Sequence, residues 1–203
     1  MVRIRYLSHS CFELKNGKTL LIDPFFKGND LAPHYSGKPD LILCTHEHFD
    51  HFDPKFISRF DVPVVCPETC RPARPEYMKV GDRRRILGIS IEMFSASHHQ
   101  SKYPTGYVIE YEGRRLAHLG DMYIDGVKPL HSIDILMVPI GGHFTMNIDE
   151  ALKATKMISP KLVIPMHYNT FPEIKANPEE FRMKAEGEGF NASVFRIDEE
   201  KVF

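Results

Sequence analysis

The chain predicts an α/β fold in which two mixed β-sheets pack together and helices cover their outer faces. Three features of the sequence point there: closely spaced hairpin segments at the start, short and continuously apolar strands further along, and helical segments alternating with strands in the second half.

Residues 2–7, 11–14 and 19–22 read as strands, and Asn16-Gly17 supplies the residues preferred in a tight hairpin turn. A loop rich in Pro, Gly and Asn covers 23–39. Residues 40–44, Asp-Leu-Ile-Leu-Cys, form a short apolar run suited to a strand buried on both faces. Asp53 and Pro54 offer an N-cap and an N1 proline for a helix over 54–60. A strand over 62–66 follows. Residues 69–79, punctuated by Pro72 and Pro75, are expected to be irregular. Strands are then predicted over 84–87 and 90–95, with a hairpin of 107–111 and 114–119 turning at Glu112-Gly113. The near-continuous apolar run 133–140 precedes a helix over 148–158, which sets Ala151, Ala154, Thr155 and Ile158 along one face. A strand over 161–165, a helix over 178–187 and a last strand over 192–197 complete the reading.

A chain of 203 residues can bury a substantial core by itself, and no composition break or repeat divides it, so one domain over 1–203 is expected. A formal net charge of -1 gives no general attraction for nucleic acid or an acidic membrane. The first residues lack the apolar core of a signal peptide, and no run is long enough to span a bilayer. Four cysteines fit a cytoplasmic protein with ordinary thiols. Cys66 and Cys70 have the spacing C-x-x-x-C but no second pair that would make a zinc site.

The chemistry gathers in His46, His48, Asp50 and His51, which fall within six residues directly after the apolar strand. Imidazole and carboxylate are the donors that suit zinc and related divalent ions, and an incomplete protein shell leaves room for water or substrate. His98 or His99, Asp121 and His167 each lie just past a predicted strand and extend the set. That is more than one tetrahedral ion needs, so two divalent ions are expected.

In order, Thr45-His46-Glu47-His48-Phe49-Asp50-His51, Leu119-Gly120-Asp121 and Pro165-Met166-His167-Tyr168 resemble the motifs of the metallo-β-lactamase superfamily. The segments Leu7-Ser8-His9-Ser10-Cys11-Phe12, Leu21-Ile22-Asp23-Pro24-Phe25 and 139–146 are more similar to its compact hydrolases, relatives of ascorbate-6-phosphate lactonase. The similarity spans nearly the whole chain. It implies a four-layer αββα sandwich, one metal on His46, His48 and His98, a second on Asp50, His51 and His167, and Asp121 bridging them. Zinc is the first expectation, with manganese, iron and nickel as alternatives. Asp50 is also a candidate proton shuttle, His9 and His143 match family positions near the cavity, and Asp23 either orients a ligand imidazole or merely starts a turn. The segment Ser97-His98-His99-Gln100-Ser101 lacks the glycine of the H-x-x-G-H pattern common in family lactamases and thiolesterases. His98 is preferred because Ala96-Ser97-His98 matches the compact hydrolases and neighbouring strand side chains point oppositely; His99 is the alternative.

The reading is a metal-dependent hydrolase acting on a small ester, lactone, amide or phosphoester. An anionic substrate is expected, with His9, Lys102 and His143 around the cavity to hold a second anionic group. A di-iron redox or oxygen enzyme is the alternative on the same fold, although such members usually carry a carboxylate where His48 stands. Nuclease activity is disfavoured, since Arg83-Arg84-Arg85 alone reads as a solvated strand edge. A metal-binding scaffold without catalysis is a further class. The expected partner is a small molecule, with no membrane, and a homo-oligomer is left open.

Overall fold

The computed structural model describes all 203 residues. One sheet is ordered β13 (Glu200–Val202), β1 (Arg3–Ser8), β2 (Cys11–Asn16), β3 (Lys18–Ile22), β4 (Leu41–Leu43), β5 (Val64–Cys66) and β6 (Pro75–Tyr77). Its pairs are antiparallel from β13 to β3 and parallel from β3 to β6. The other is ordered β12 (Leu162–Met166), β11 (Ile135–Pro139), β10 (Arg114–His118), β9 (Thr105–Tyr111), β8 (Ile89–Ser95) and β7 (Arg83–Ile86). Here β12, β11 and β10 are parallel, and the remaining pairs are antiparallel.

The side-chain period of two explains the layering. Leu20, Ile22, Leu41 and Leu43 face the second sheet, while Leu21 and Ile42 between them face outward. Both faces of these strands are therefore apolar, as the run at 40–44 predicts. The core between the sheets holds 23 buried residues and is the largest of three clusters, so the sheet interface is the main source of cohesion. Over the second sheet, α2 (Ile148–Ile158) and α3 (Pro178–Gly187) cover Val108, Leu136, Val138 and Val163. A capping box starts α2: Asn147 Oδ1 accepts from Glu150 N, and Glu150 Oε2 accepts from Asn147 N, both at 3.0 Å. The outer layer over the first sheet is thin, built from α1 (Pro54–Ile57), Phe52 and Tyr35. This is the four-layer αββα sandwich that the sequence leads one to expect.

Three local readings need correction. The helix expected over 54–60 stops at Ile57, because Arg59 N and Phe60 N bond three residues back and tighten the chain into turns. The Asp53 cap is as predicted, its Oδ1 accepting from Phe56 N at 3.0 Å. The segment 69–79 contains β6, which tolerates Pro75 because it is an edge strand that Pro75 opens. Residues 192–197 make one bridge, Ala192 to Val163, and the terminal strand lies later, where a turn at Asp198 (φ 69°) returns the chain to β1. At the first hairpin only Gly17 adopts positive φ, and Asn16 pairs with Lys18 across it. Tyr111, from the opposite sheet, caps that turn by accepting from Asn16 N at 2.8 Å and Lys18 N at 3.2 Å. No helix is long and apolar enough to cross a membrane.

Candidate metal centre

Strand direction gathers the donors. In the first sheet β1, β3 and β4 run one way, and in the second β8, β10 and β12 do. The carboxyl ends of these six strands are followed by His9, Asp23, 45–51, His98, Asp121 and His167 respectively. The two edges meet, since His167 N donates to His9 O at 2.8 Å and Thr105 Oγ1 to Thr45 O at 2.5 Å. Turning this sharply requires unusual backbone: His9, Asp23 and His167 adopt φ of 57°, 45° and 55°. Gly120 has φ +61°, and a Cβ there would sit 2.6 Å from Thr105 O, so only glycine lets the chain deliver Asp121.

Two quartets result: His46, His48, His98 and Asp121, and beside it His9, Asp50, His51 and His167, each with donor atoms within 4.8 Å of one another. Asp121 faces both. Its Oδ1 lies 3.1 Å from His51 Nε2 and from His167 Nε2, and its Oδ2 lies 3.5 Å from His98 Nε2 and 3.8 Å from His46 Nε2. His9 Nε2 stands 3.3 Å from Asp50 Oδ2. His9 therefore sits closer to the donors than its expected place around the substrate.

Neighbouring groups decide which imidazole nitrogen carries the proton. Asp23 Oδ2 accepts from His51 Nδ1 and Thr45 Oγ1, both at 2.8 Å, and Oδ1 accepts from Thr45 N at 2.7 Å. With its own proton spent on Asp23, the Thr45 hydroxyl accepts from His46 Nδ1 at 3.0 Å. His98 Nδ1 donates to Phe144 O and His48 Nε2 to Gln100 O, each at 3.1 Å. For these four histidines the other nitrogen is turned into the quartets. His9 Nε2, His46 Nε2, His51 Nε2, His167 Nε2 and Asp121 Oδ1 are buried without a hydrogen-bond partner. Such an assembly is costly unless a cation completes it, and neutral imidazole with carboxylate is the donor set that a divalent ion takes.

The electrostatics agree. Burial holds His46 well below the ordinary histidine range, helped by His51, and it lowers His98 as well. Burial and then His167 lower His9 to about 4. Burial would also lower His51, but Asp121 and Asp23 outweigh it and raise that residue. Burial opposes the charge on Asp121 and Asp50, yet His167 and His51 hold the first ionised, and His9 and His51 the second.

His98 joins the cluster, whereas His99 is exposed and stacks on Tyr123, ring centroids 5.3 Å apart. A cavity of about 360 Å³ opens onto the site, lined by residues 47–50 with His98, Gln100, Asp121 and Phe144. His143 and Lys102 are exposed and do not line it, but each adjoins a residue that does, His143 packing on Phe144 and Lys102 N donating to Glu47. Two supporting groups, Glu47 and His118, have roles whose partners the sequence does not show. Glu47 ties the histidine-rich loop to the His98 loop by accepting from Lys102 N at 2.7 Å and Ser101 Oγ at 3.1 Å. His118, buried behind Gly120, donates to Ser10 O at 2.9 Å and accepts from Gly120 N at 3.2 Å. No signal in the sequence marked either partner.

A two-sheet sandwich with histidine and aspartate converging at one sheet edge defines a class, and a family profile for the beta-lactamase superfamily domain matches residues 3–167. The chain belongs to that superfamily and, within it, to the UPF0173 metal-dependent hydrolases. The Pyrococcus abyssi member is 35% identical over 98% of this chain and 99% of its own length. The Thermus thermophilus member is also 35% identical, with 98% of each chain covered. Among solved structures, Igni18, a metallo hydrolase from Ignicoccus hospitalis, superposes with a TM-score of 0.89 at 30% identity, covering 100% of this chain and 98% of its own.

Proposed function

We propose that the chain binds two divalent ions, zinc by first preference, and uses them to hydrolyse a small ester, lactone, amide or phosphoester whose reacting centre is anionic or becomes so. His46, His48 and His98 would hold one ion, Asp50, His51 and His167 the other, and Asp121 both. The observation that carries this is Asp121, whose two carboxylate oxygens face different histidine sets. Bound at such a site, paired cations lower the pKa of water and polarise the oxygen of the bond under attack.

The chain's own residues supply the rest. Asp23, Thr45, Phe144 and Gln100 fix the imidazole orientations through their hydrogen bonds. Asp50 reaches the cavity wall, with one oxygen near His9 Nε2, and in this reading would accept a proton from water and return it to a leaving group. His9, held by Thr170 Oγ1 at 2.5 Å from its Nδ1, keeps Asp50 in position. All four cysteines are free and buried, which supports a reducing, cytoplasmic setting.

The test is turnover by purified protein reconstituted with zinc or manganese against phosphodiesters, lactones, thioesters and β-lactams, with bound metal counted in parallel. Metal-dependent turnover of one class supports the reading. Two bound ions without turnover of any class would leave a binding scaffold, and failure to bind metal would remove the reading altogether.

A further inference from the structure

The cavity has a composition that the donor set does not require. Lys and Arg are absent from its lining, which instead carries Glu47, Asp50 and Asp121. Glu47 is already engaged with Lys102 N and Ser101 Oγ, so it serves the loop. A second anionic group would meet no Lys or Arg among the lining residues, and the ionised side chains it would meet there are carboxylates.

The lining does carry two phenylalanines that water reaches. Phe49 is 66% exposed and Phe144 is 39% exposed, and both face the cavity that opens onto the donors. Each is tied to one quartet. Phe49 lies between His48 and Asp50, and its ring meets Phe25 and Phe171 edge-on at 5.8 and 6.1 Å. Those two rings stack at 5.9 Å and flank His9 at 5.4 and 5.7 Å. Phe144 receives His98 Nδ1 on its carbonyl, and its ring packs against His143 at 4.2 Å. The Phe49 ring thus touches two rings that also flank His9, and Phe144 belongs to the residue whose backbone carbonyl orients His98, so both phenyl groups stand beside the donors.

We propose that Phe49 and Phe144 are the specificity-determining residues of this site, and that its substrate carries a flat apolar group beside the bond that is cleaved. The inference rests on the proposed hydrolytic reading and narrows its substrate class. Exposed phenyl surface that a planar ligand removes from water contributes affinity in proportion to the area covered, and ring-on-ring contact adds a geometric preference for flat groups.

Phosphonates separate the two questions because their P–C bond resists hydrolysis. Calorimetric titration of metal-loaded protein should show phenylphosphonate binding about tenfold or more tighter than methylphosphonate. 3-Phosphonopropionate, which adds a carboxylate to the phosphonate, should gain nothing over the methyl compound. Phe49→Ala and Phe144→Ala should each reduce the phenyl preference, and the double variant should abolish it. Unchanged metal content and methylphosphonate affinity would show that these exposed positions leave the fold intact. Equal binding of phenyl and methyl compounds by the unaltered protein, a preference that survives in the double variant, or tightest binding of 3-phosphonopropionate each overturns the proposal while leaving the metal centre standing. Failure of all three phosphonates to bind metal-loaded protein would overturn both the anionic-substrate reading and the phenyl preference.

Discussion

His51 donates its Nδ1 proton to Asp23 Oδ2 across 2.8 Å, with both side chains fully buried. That bond points Nε2 of the same ring at Asp121, the geometry expected of a carboxylate that orients an imidazole. Asp23→Ala should weaken metal affinity by roughly 10–100-fold. Titration with a fluorescent zinc chelator measures this, and unchanged affinity would make Asp23 a turn residue only.

Asp121 is assigned to both ions, so Asp121→Ala should weaken both rather than remove one. Elemental analysis across a series of free zinc concentrations distinguishes the outcomes. One ion bound as tightly as before would break the bridging assignment.

The neighbouring pair His98 and His99 gives a contrast with little room for reinterpretation. His98 is 3% exposed within the cluster, and His99 lies outside it against Tyr123. His98→Ala should lose metal and activity, while His99→Ala retains both. The reverse pattern would move the donor by one residue.

Chelation should leave the sandwich folded. Three apolar clusters of 23, 19 and 12 buried residues lie along the sheets, whereas the donors sit beyond strand ends. Far-UV circular dichroism and a cooperative melt should survive metal removal at a lower midpoint. Loss of the cooperative transition would make the ions structural.

In metal-free protein, acid should act through His9. Its folded pKa is about 4 against about 6.5 in an unfolded chain, so the unfolded state binds more protons between those values. Stability from this residue is full above about 6.5 and falls as pH drops towards about 4, by on the order of 3 kcal/mol. His51 has the opposite sign: its raised pKa stabilises below the unfolded value and is lost as pH rises through the folded one. Comparison with His9→Asn, a side chain that tolerates positive φ, isolates the His9 contribution. Urea melts across this window should show a smaller acid loss in the variant.

Much of this was legible in the chain itself. The run 40–44, the helix over 148–158 with its Asn147 cap, and the cluster His46, His48, Asp50 and His51 are local patterns, and each appears in the structure where the residues place it. Local periodicity and capping act over a few residues and leave their mark in one stretch of sequence. The shorter α1, the edge strand β6 and the displaced terminal strand escaped, because a turn of three-residue bonds or the pairing partner found in the folded sheet decides them.

The sequence by itself therefore determined the layer pattern and the chemical nature of the donors, both properties of residue type and spacing. Only the tertiary structure decided that His98 rather than His99 enters the cluster, that His9 joins the donors while His143 and Lys102 stay outside the cavity lining, and that Asp23 grips His51. These depend on strand direction and on where two sheet edges meet, which bring residues 9, 98, 121 and 167 together from four distant parts of the chain. Distances of 3–4 Å between such residues are set by packing of the whole sandwich, and no short stretch of sequence records them.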